Sequence, residues 1–211
     1  MGHKAGIETI RRVAEAADRR GVRVLTLYAF STENWSRPRD EVDALMTLFS
    51  ETIRREVDEL ARRGIELRFS GRLQDLSTAL QDQIRQANER TRVSARAILN
   101  IAINYGGRQE IVDAIRELAR EGADLTQLEE GSVAEHLYTR GLPDPDLVIR
   151  TAGEMRLSNF LLWQAAYSEF YCTQTLWPDF GQADFDEAVA SYQRRIRRFG
   201  ARPEEVSNRG R

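Results

Sequence analysis

Apolar positions along this chain change their spacing repeatedly, and the changes predict helices and strands in alternation. Over residues 4–20, Ile7, Ile10, Val13, Ala14 and Ala17 recur at helical steps among Arg and Glu, and Gly21 stands where a helix C-cap is expected. Residues 22–30 are rich in β-branched and apolar side chains and stop at the polar run Ser31-Thr32-Glu33-Asn34-Trp35-Ser36-Arg37-Pro38, which predicts a buried strand emptying into a loop. Helical spacing returns over residues 40–63, with Val42, Leu45, Met46, Phe49, Ile53, Val57 and Leu60 on one side, and Gly64 ends it. The alternation continues with a strand at 65–70, a helix near 77–92, a strand at 97–104 and a helix at 109–120. A short helix around 133–139, a strand at 147–150, a helical stretch at 159–166, an extended stretch at 169–173 and a terminal helix at 185–198 complete it.

Strands separated by helices require crossover connections, and these give parallel pairing. The predicted fold class is therefore α/β, a single domain over residues 1–211 with a mostly parallel central sheet flanked by helices. Sheets of this type usually open with a strand whose following loop holds phosphate, whereas this chain opens with a predicted helix. The first strand of the sheet is thus expected to be missing from it.

Composition narrows the function. Lys and Arg total 31 against 33 Asp and Glu, a net charge of −2, so there is no general cationic field for nucleic acid and any anion site must be built locally. Cys172 is the single cysteine and there are two histidines, too few for a disulfide framework or a structural zinc site. No apolar run approaches the roughly 20 residues that span a bilayer, and the expected location is cytoplasmic. The basic run Arg194-Arg195-Ile196-Arg197-Arg198 reads as a solvated helix face, with attraction to a membrane surface as the alternative. His136 reads as a surface or core histidine and Cys172 as a small packing residue. Neither a Gly-x-Gly-x-x-Gly nor a Walker sequence occurs, which removes the usual support for nucleotide binding.

In parallel sheets ligands lie at the carboxyl ends of strands, so the loops that follow strands hold the candidate chemistry. The first is 31–38, whose hydroxyls, carboxylate, amide, indole and guanidinium suit a polar ligand; a turn proline beside a packed Trp would account for the same composition. The second is Arg150-Thr151-Ala152-Gly153-Glu154-Met155-Arg156-Leu157-Ser158-Asn159-Phe160. Two Arg six apart, with a Gly between and a Ser able to cap a following helix, suit an anionic diphosphate; surface ion pairs and a plain N-cap are the alternative. Glu169, flanked by apolar and aromatic residues, needs a partner, either an Arg or a hard cation such as Mg²⁺.

Gly2-His3-Lys4-Ala5-Gly6, Tyr28 through Pro38, Asn104-Tyr105-Gly106-Gly107-Arg108, Asp146 through Glu154, Arg156 through Gln164 and Leu176-Trp177-Pro178-Asp179-Phe180 resemble, in order and over nearly the whole chain, the motif series of the cis-prenyltransferases. The resemblance implies condensation of isopentenyl diphosphate onto an allylic diphosphate such as farnesyl diphosphate, with Mg²⁺, new Z double bonds and release of pyrophosphate. By the same resemblance Arg150, Arg156, Leu157 and Ser158 hold the isopentenyl diphosphate, and Glu169 is a Mg²⁺ ligand. Ser31, Thr32, Glu33, Trp35 and Arg37 belong to a loop that closes over the substrates, and His3 lies near the allylic diphosphate. Asn34 matches the residue assigned as proton acceptor; a neutral carboxamide is a very weak base, so orienting the substrate while pyrophosphate or water takes the proton is physically easier. The apolar faces of 40–63 and 22–30 are expected to line a tunnel for the growing hydrocarbon, or to be ordinary core. A homodimer and transient contact with a membrane surface for product release are implied as well.

Two departures qualify these expectations. The family carries, before its Gly-His-Lys region, a strand followed by Asp-Gly-Asn-x-Arg-Trp, and that segment is not in this sequence. Met155 stands where family members can carry His, and a thioether is no ligand for a hard cation. The chain as written is therefore expected to be inactive, and a non-catalytic partner subunit of a cis-prenyltransferase complex is the alternative function.

Overall fold

The computed structural model describes residues 2–93 and 95–195, and within them the side chains of residue 6 and of residue 8 onward. The elements run α1 (Gly2–Arg19), β1 (Val24–Ser31), α2 (Arg39–Arg62), β2 (Ile65–Ser70), α3 (Thr78–Thr91), β3 (Ala97–Tyr105) and α4 (Gly107–Arg120). They continue with α5 (Glu130–Ala134), β4 (Leu147–Arg150), β5 (Glu169–Cys172) and α6 (Gln182–Gln193). Every pairing among the described strands is parallel, and helices flank them, as the alternation predicts. The strands fall into two sheets, one of order β1-β3-β2 and one of β4-β5.

Strand β3 is central because it is apolar without alternation: Leu99 through Tyr105 are all buried, the pattern of a strand covered on both faces. Its one mid-strand amide, Asn100, is fully buried, and both ends of the amide are satisfied across the sheet. The Ser70 hydroxyl donates to Asn100 Oδ1 at 3.0 Å and Asn100 Nδ2 donates to Thr26 Oγ1 at 3.4 Å. Strand β2 is an edge, and α3 covers it: the Leu67 amide donates to Thr91 Oγ1 at 2.9 Å. The main core lies between this sheet and α2 and α3, around Phe30, Ile53, Leu67, Leu80 and Ile103. Helix α1 packs Val13, Ala16 and Ala17 against Phe180 and Phe185, and is pinned by Trp177 Nε1 donating to the Gly6 carbonyl at 3.1 Å.

Strands β1 and β4 each have only one partner among the described strands, and both border a single cavity of about 1020 Å³. Leu25 and Leu27 of β1, Leu45, Phe49 and Ile53 of α2, and Val148 and Ile149 of β4 face it.

Most predicted boundaries agree with the structure to within three residues. Three segments depart further, most of all 159–166, predicted as helix from Phe160-Leu161-Leu162-Trp163. Ser158, Asn159 and Leu161 adopt φ of 49°, 64° and 45°, incompatible with a right-handed helix, and only Gln164–Tyr167 closes into a 3-10 turn. Tertiary contacts override local propensity here. Leu161 is buried with Ala102 and Tyr105, and the Asn159 carbonyl accepts from the Gly107 amide at 2.7 Å. The short helix lies at 130–134 instead of 133–139. The last helix spans Gln182–Gln193, and the part of the predicted helix beyond residue 195 lies outside the described residues.

Gly71 turns the chain after β2 at φ 137°, where an added Cβ would sit 1.9 Å from the Ile103 carbonyl oxygen. Gly71→Ala should cost about 3 kcal/mol, read as a lower midpoint of urea unfolding. Glu110, fully buried in the first turn of α4, accepts from the Tyr105 hydroxyl, from Gln164 Nε2 at 3.0 Å and from the Tyr138 amide at 2.9 Å. Burial raises its pKa and outweighs the lowering by those donors, so the net shift is upward. The folded state then holds this proton more tightly than the unfolded chain. That contribution is full below the ordinary Glu value and is lost as pH rises through the raised one. Urea midpoints taken from acid to neutral pH should carry this declining contribution in the wild type, and Glu110→Gln should remove it.

Candidate functional site

Ser31 ends β1, and the chain then closes a 3-10 turn at Thr32–Ser36. Asn34 caps the turn from within: the Ser31 amide donates to Asn34 Oδ1 at 2.9 Å. That amide oxygen is therefore engaged with backbone. Trp35 Nε1 donates to Asn104 Oδ1 at 2.7 Å, and Asn104, at φ 49°, passes the connection on through Nδ2 to the Arg72 carbonyl at 2.8 Å. The carboxyl ends of β1, β3 and β2 are thus tied by one indole and one carboxamide. Trp35 also meets Phe30 edge to face, with ring centroids 5.2 Å apart. Arg37 turns away to Glu41 at the start of α2, 2.9 Å distant.

The second loop leaves β4 at Arg150. Ala152 and Gly153 both have positive φ, and their amides donate to the carbonyls of Thr175 and Thr173 at 2.9 and 2.8 Å, which seats the loop on the segment after β5. Cys172, half-buried, donates its thiol to the Glu154 carbonyl at 3.3 Å. Arg150 and Arg156 converge on one carboxylate: Arg150 Nη2 pairs with Glu154 Oε2, and Arg156 Nη2 with Glu154 Oε1. The Arg150 hydrogen bond, followed by the Arg156 charge, holds the Glu154 carboxyl below the ordinary value. The two arginines expected to clamp a diphosphate form ion pairs with a carboxylate of their own loop, the alternative reading of their spacing. Both also line the cavity that β1 and α2 line with apolar side chains.

The two loops meet. Asn159 Nδ2 donates to Glu33 Oε1 at 2.8 Å, and Asn159 Oδ1 accepts from the Arg108 amide at 2.9 Å. Burial raises the Glu33 pKa, but donors from Asn159, its own backbone, Ser31 and Thr32 win, and its carboxyl lies below the ordinary value. Tyr28 stacks on Phe160 at 4.5 Å and donates its hydroxyl to the Tyr105 carbonyl at 3.1 Å, with the Ser158 carbonyl at 3.5 Å. Burial, then the Glu33 charge, push that phenol up to about 12, against smaller lowering by Ser31 and then by the Arg150 charge, so it stays a donor at neutral pH. Gly106 and Gly107 leave no room beside these loops: a Cβ would meet Thr32 Oγ1 at 2.7 Å from Gly106, or Leu162 Cγ at 2.8 Å from Gly107.

The structure brings together Ser31, Thr32, Glu33, Asn34 and Trp35 on one loop and Arg150, Arg156, Leu157 and Ser158 on the other. No helix starts at Ser158, which rules out the plain N-cap. Glu169 does not join them. It pairs with Arg195 at 2.5 Å, and it begins β5 opposite Leu147, while Arg150 lies opposite Cys172. Three residues of strand separate the two positions, about 10 Å. Among the described residues no three or more His, Cys, Asp or Glu side chains group to hold a metal ion, and Met155 is largely exposed. The described side chains therefore do not by themselves build a Mg²⁺ site. The side chain of His3 lies outside the described residues. His136 is a surface histidine, held between the Ser132 carbonyl at 2.8 Å and Glu121 at 3.0 Å. The candidate site residues drawn from the sequence did not include Glu154, Asn104, Asn159 or Tyr28. All four lie inside the resembling motifs, and only position in space separates them from neighbours that merely pack.

The fold and these loops define an α/β protein of parallel strands with an arginine-lined anion site opening on an apolar cavity. The chain belongs to the prenyltransferase family: the family model described as "Putative undecaprenyl diphosphate synthase" matches residues 1–200. Among similar proteins, an isoprenyl transferase of Heliobacterium mobile is 47% identical over 203 residues, covering 94% of this chain and 78% of that protein. A ditrans,polycis-undecaprenyl-diphosphate synthase ((2E,6E)-farnesyl-diphosphate specific) of Legionella pneumophila is 45% identical, covering 94% and 85%. The crystal structure of lavandulyl diphosphate synthase from Lavandula x intermedia in complex with dimethylallyl diphosphate superposes with a TM-score of 0.89 at 38% identity, covering 94% of this chain and 88% of that one.

Glu154 offsets one of the two guanidinium charges, so it competes with any anion offered to these arginines. Glu154→Gln should bind inorganic pyrophosphate about 3- to 10-fold more tightly than the wild type, measured by isothermal titration calorimetry at fixed ionic strength.

Proposed function

We propose that this protein elongates cis-prenyl chains, condensing isopentenyl diphosphate onto an allylic diphosphate such as farnesyl diphosphate. The observation that carries the proposal is the shared cavity: Arg150 and Arg156 line it together with the apolar faces of β1 and α2. A substrate with a diphosphate head and a hydrocarbon body needs both surfaces in one place. In the reaction the allylic carbon–oxygen bond breaks and pyrophosphate leaves with the bonding pair. The double-bond electrons of the isopentenyl group form the new carbon–carbon bond, and a proton leaves the adjoining carbon to set the new double bond.

Arg150 and Arg156 are proposed to exchange Glu154 for the isopentenyl diphosphate, with Leu157 and Ser158 flanking it. Ser31, Thr32, Glu33, Trp35 and Arg37 are proposed to belong to the loop over the substrates, and His3 to lie by the allylic diphosphate. With its amide oxygen capping the turn, Asn34 supports a positioning role better than that of a base. Mg²⁺ belongs to the proposal as a companion of the diphosphate groups, with Glu169 as its one candidate protein ligand. A cytoplasmic homodimer with transient membrane-surface contact belongs to it by likeness to the family. None of the described helices is long and apolar enough to cross a membrane.

Strands β1 and β4 both leave an edge toward the cavity, a gap suited to one more parallel strand. We infer that the 211 residues alone do not turn over, and that a strand supplied to this gap is needed. Labelled isopentenyl diphosphate and farnesyl diphosphate, offered with Mg²⁺, should give no polyprenyl product with this chain. Product should form when the chain is extended upstream to the length of its relatives. Robust incorporation by the 211 residues alone would overturn the inference. In the active form, Arg150→Ala should weaken isopentenyl diphosphate binding by about 2–5 kcal/mol, seen as a raised KM; unchanged saturation would remove Arg150 from the site.

A further inference from the structure

We propose that Asn159 is a positioning residue that couples the loop after β1 to the arginine loop after β4, through its hydrogen bond to Glu33. The proposal rests on the prenyl-transfer reading for its kinetic consequence, and on geometry alone for the coupling. Three polar groups of this one residue leave in three directions. Nδ2 donates to Glu33 Oε1 at 2.8 Å, Oδ1 accepts from the Arg108 amide at 2.9 Å, and the carbonyl accepts from the Gly107 amide at 2.7 Å. Asn159 thus spans the turn after β1, the start of α4 and the segment that carries Arg156 and Ser158.

The backbone conformation supports a dedicated role. Asn159 sits at φ 64° next to Ser158 at 49°, left-handed conformations that side chains with a Cβ adopt at a cost, Asn less than most. Two consecutive residues are held there by the surrounding bonds, which fixes the direction in which Ser158 and Arg156 leave the segment. Strands β1 and β4 belong to different sheets, and they are not hydrogen-bonded to each other. Tyr28 of β1 stacks on Phe160 across this gap, and the Asn159–Glu33 hydrogen bond adds the directional contact between the two loops themselves. The Glu33 carboxylate, kept ionised, is a strong acceptor for the Asn159 amide. Substrates held by either loop would therefore be placed relative to each other through this contact.

A donor–acceptor swap tests the proposal. Asn159→Asp keeps the left-handed preference and the acceptor for the Arg108 amide, but sets a carboxylate against Glu33. Adding Glu33→Gln restores the pair with the donor on the other side. Hydrogen–deuterium exchange on the 211-residue chain should quicken over residues 31–37 in Asn159→Asp and return toward wild type in the double variant. In the form of the protein that turns over, Asn159→Asp should raise KM for isopentenyl diphosphate about 10-fold, and the double variant should recover most of that loss. Unchanged exchange over 31–37, or a double variant no better than the single one at equal thermal midpoint, would overturn the coupling. Failure of every form to make polyprenyl product would instead overturn the prenyl-transfer reading, and the exchange result would still decide the role of Asn159.

Discussion

A charge cannot be left unpaired beside an apolar wall, and the rest of this structure follows from how that constraint is met. The cavity is lined mainly by aliphatic and aromatic side chains, yet four arginines border it, and two of them, Arg150 and Arg156, share one carboxylate. Arg150, 29% exposed, loses most from standing alone, whereas Arg156, 62% exposed, keeps water as a partner. Glu154 answers the problem locally: one carboxylate oxygen goes to each arginine, from within the same loop. Arg150 and Glu154 are partly open to solvent, so the pairing is weaker than a fully buried one and a diphosphate can compete for it. The same carboxylate that pairs with both arginines competes with any anion offered to them.

Parallel strands extend this solution to the whole sheet. Apolar residues run the length of β3, and polar ones gather where the strands end. Asn104 shows the economy of that edge: its two amide ends join Trp35 of the turn after β1 to Arg72 after β2. Close approach of three backbones uses small residues at Gly106 and Gly107 and left-handed dihedrals at Asn104, Ser158 and Asn159. Behind this edge, buried Glu110 collects donors from Tyr105, Tyr138 and Gln164, so the polar layer has a fixed floor.

Much of the fold was legible in the sequence because apolar runs such as Ile65–Ser70 and Ala97–Tyr105 declare buried strands, and Gly64 and Gly21 mark helix ends. The division into two sheets was not, since strand order depends on partners far along the chain. Phe160-Leu161-Leu162-Trp163 has helical spacing, yet its backbone is bent to left-handed values by contacts with β3 and α4. In the site, the spacing of Arg150 and Arg156 left a diphosphate clamp and ion pairs equally open, and the structure shows ion pairs, both to Glu154. Glu169 was rightly given a need for a partner; the partner here is Arg195, from a helix end 26 residues away in sequence.

An apolar wall is non-directional, and this assigns the remaining specificity. Each five-carbon unit buried against it contributes on the order of 4 kcal/mol, at about 0.8 kcal/mol per carbon, whichever unit of the chain it is. Such a surface cannot tell a correctly placed allylic end from one displaced by a unit. The groups with direction here are the guanidinium pair, the capped turn bearing Asn34 and Trp35, and the Asn159 contact between the two loops. Every one of these lies at or beyond a strand's carboxyl end, so under the proposed function placement falls to the loops, and the strands and α2 supply apolar surface behind them.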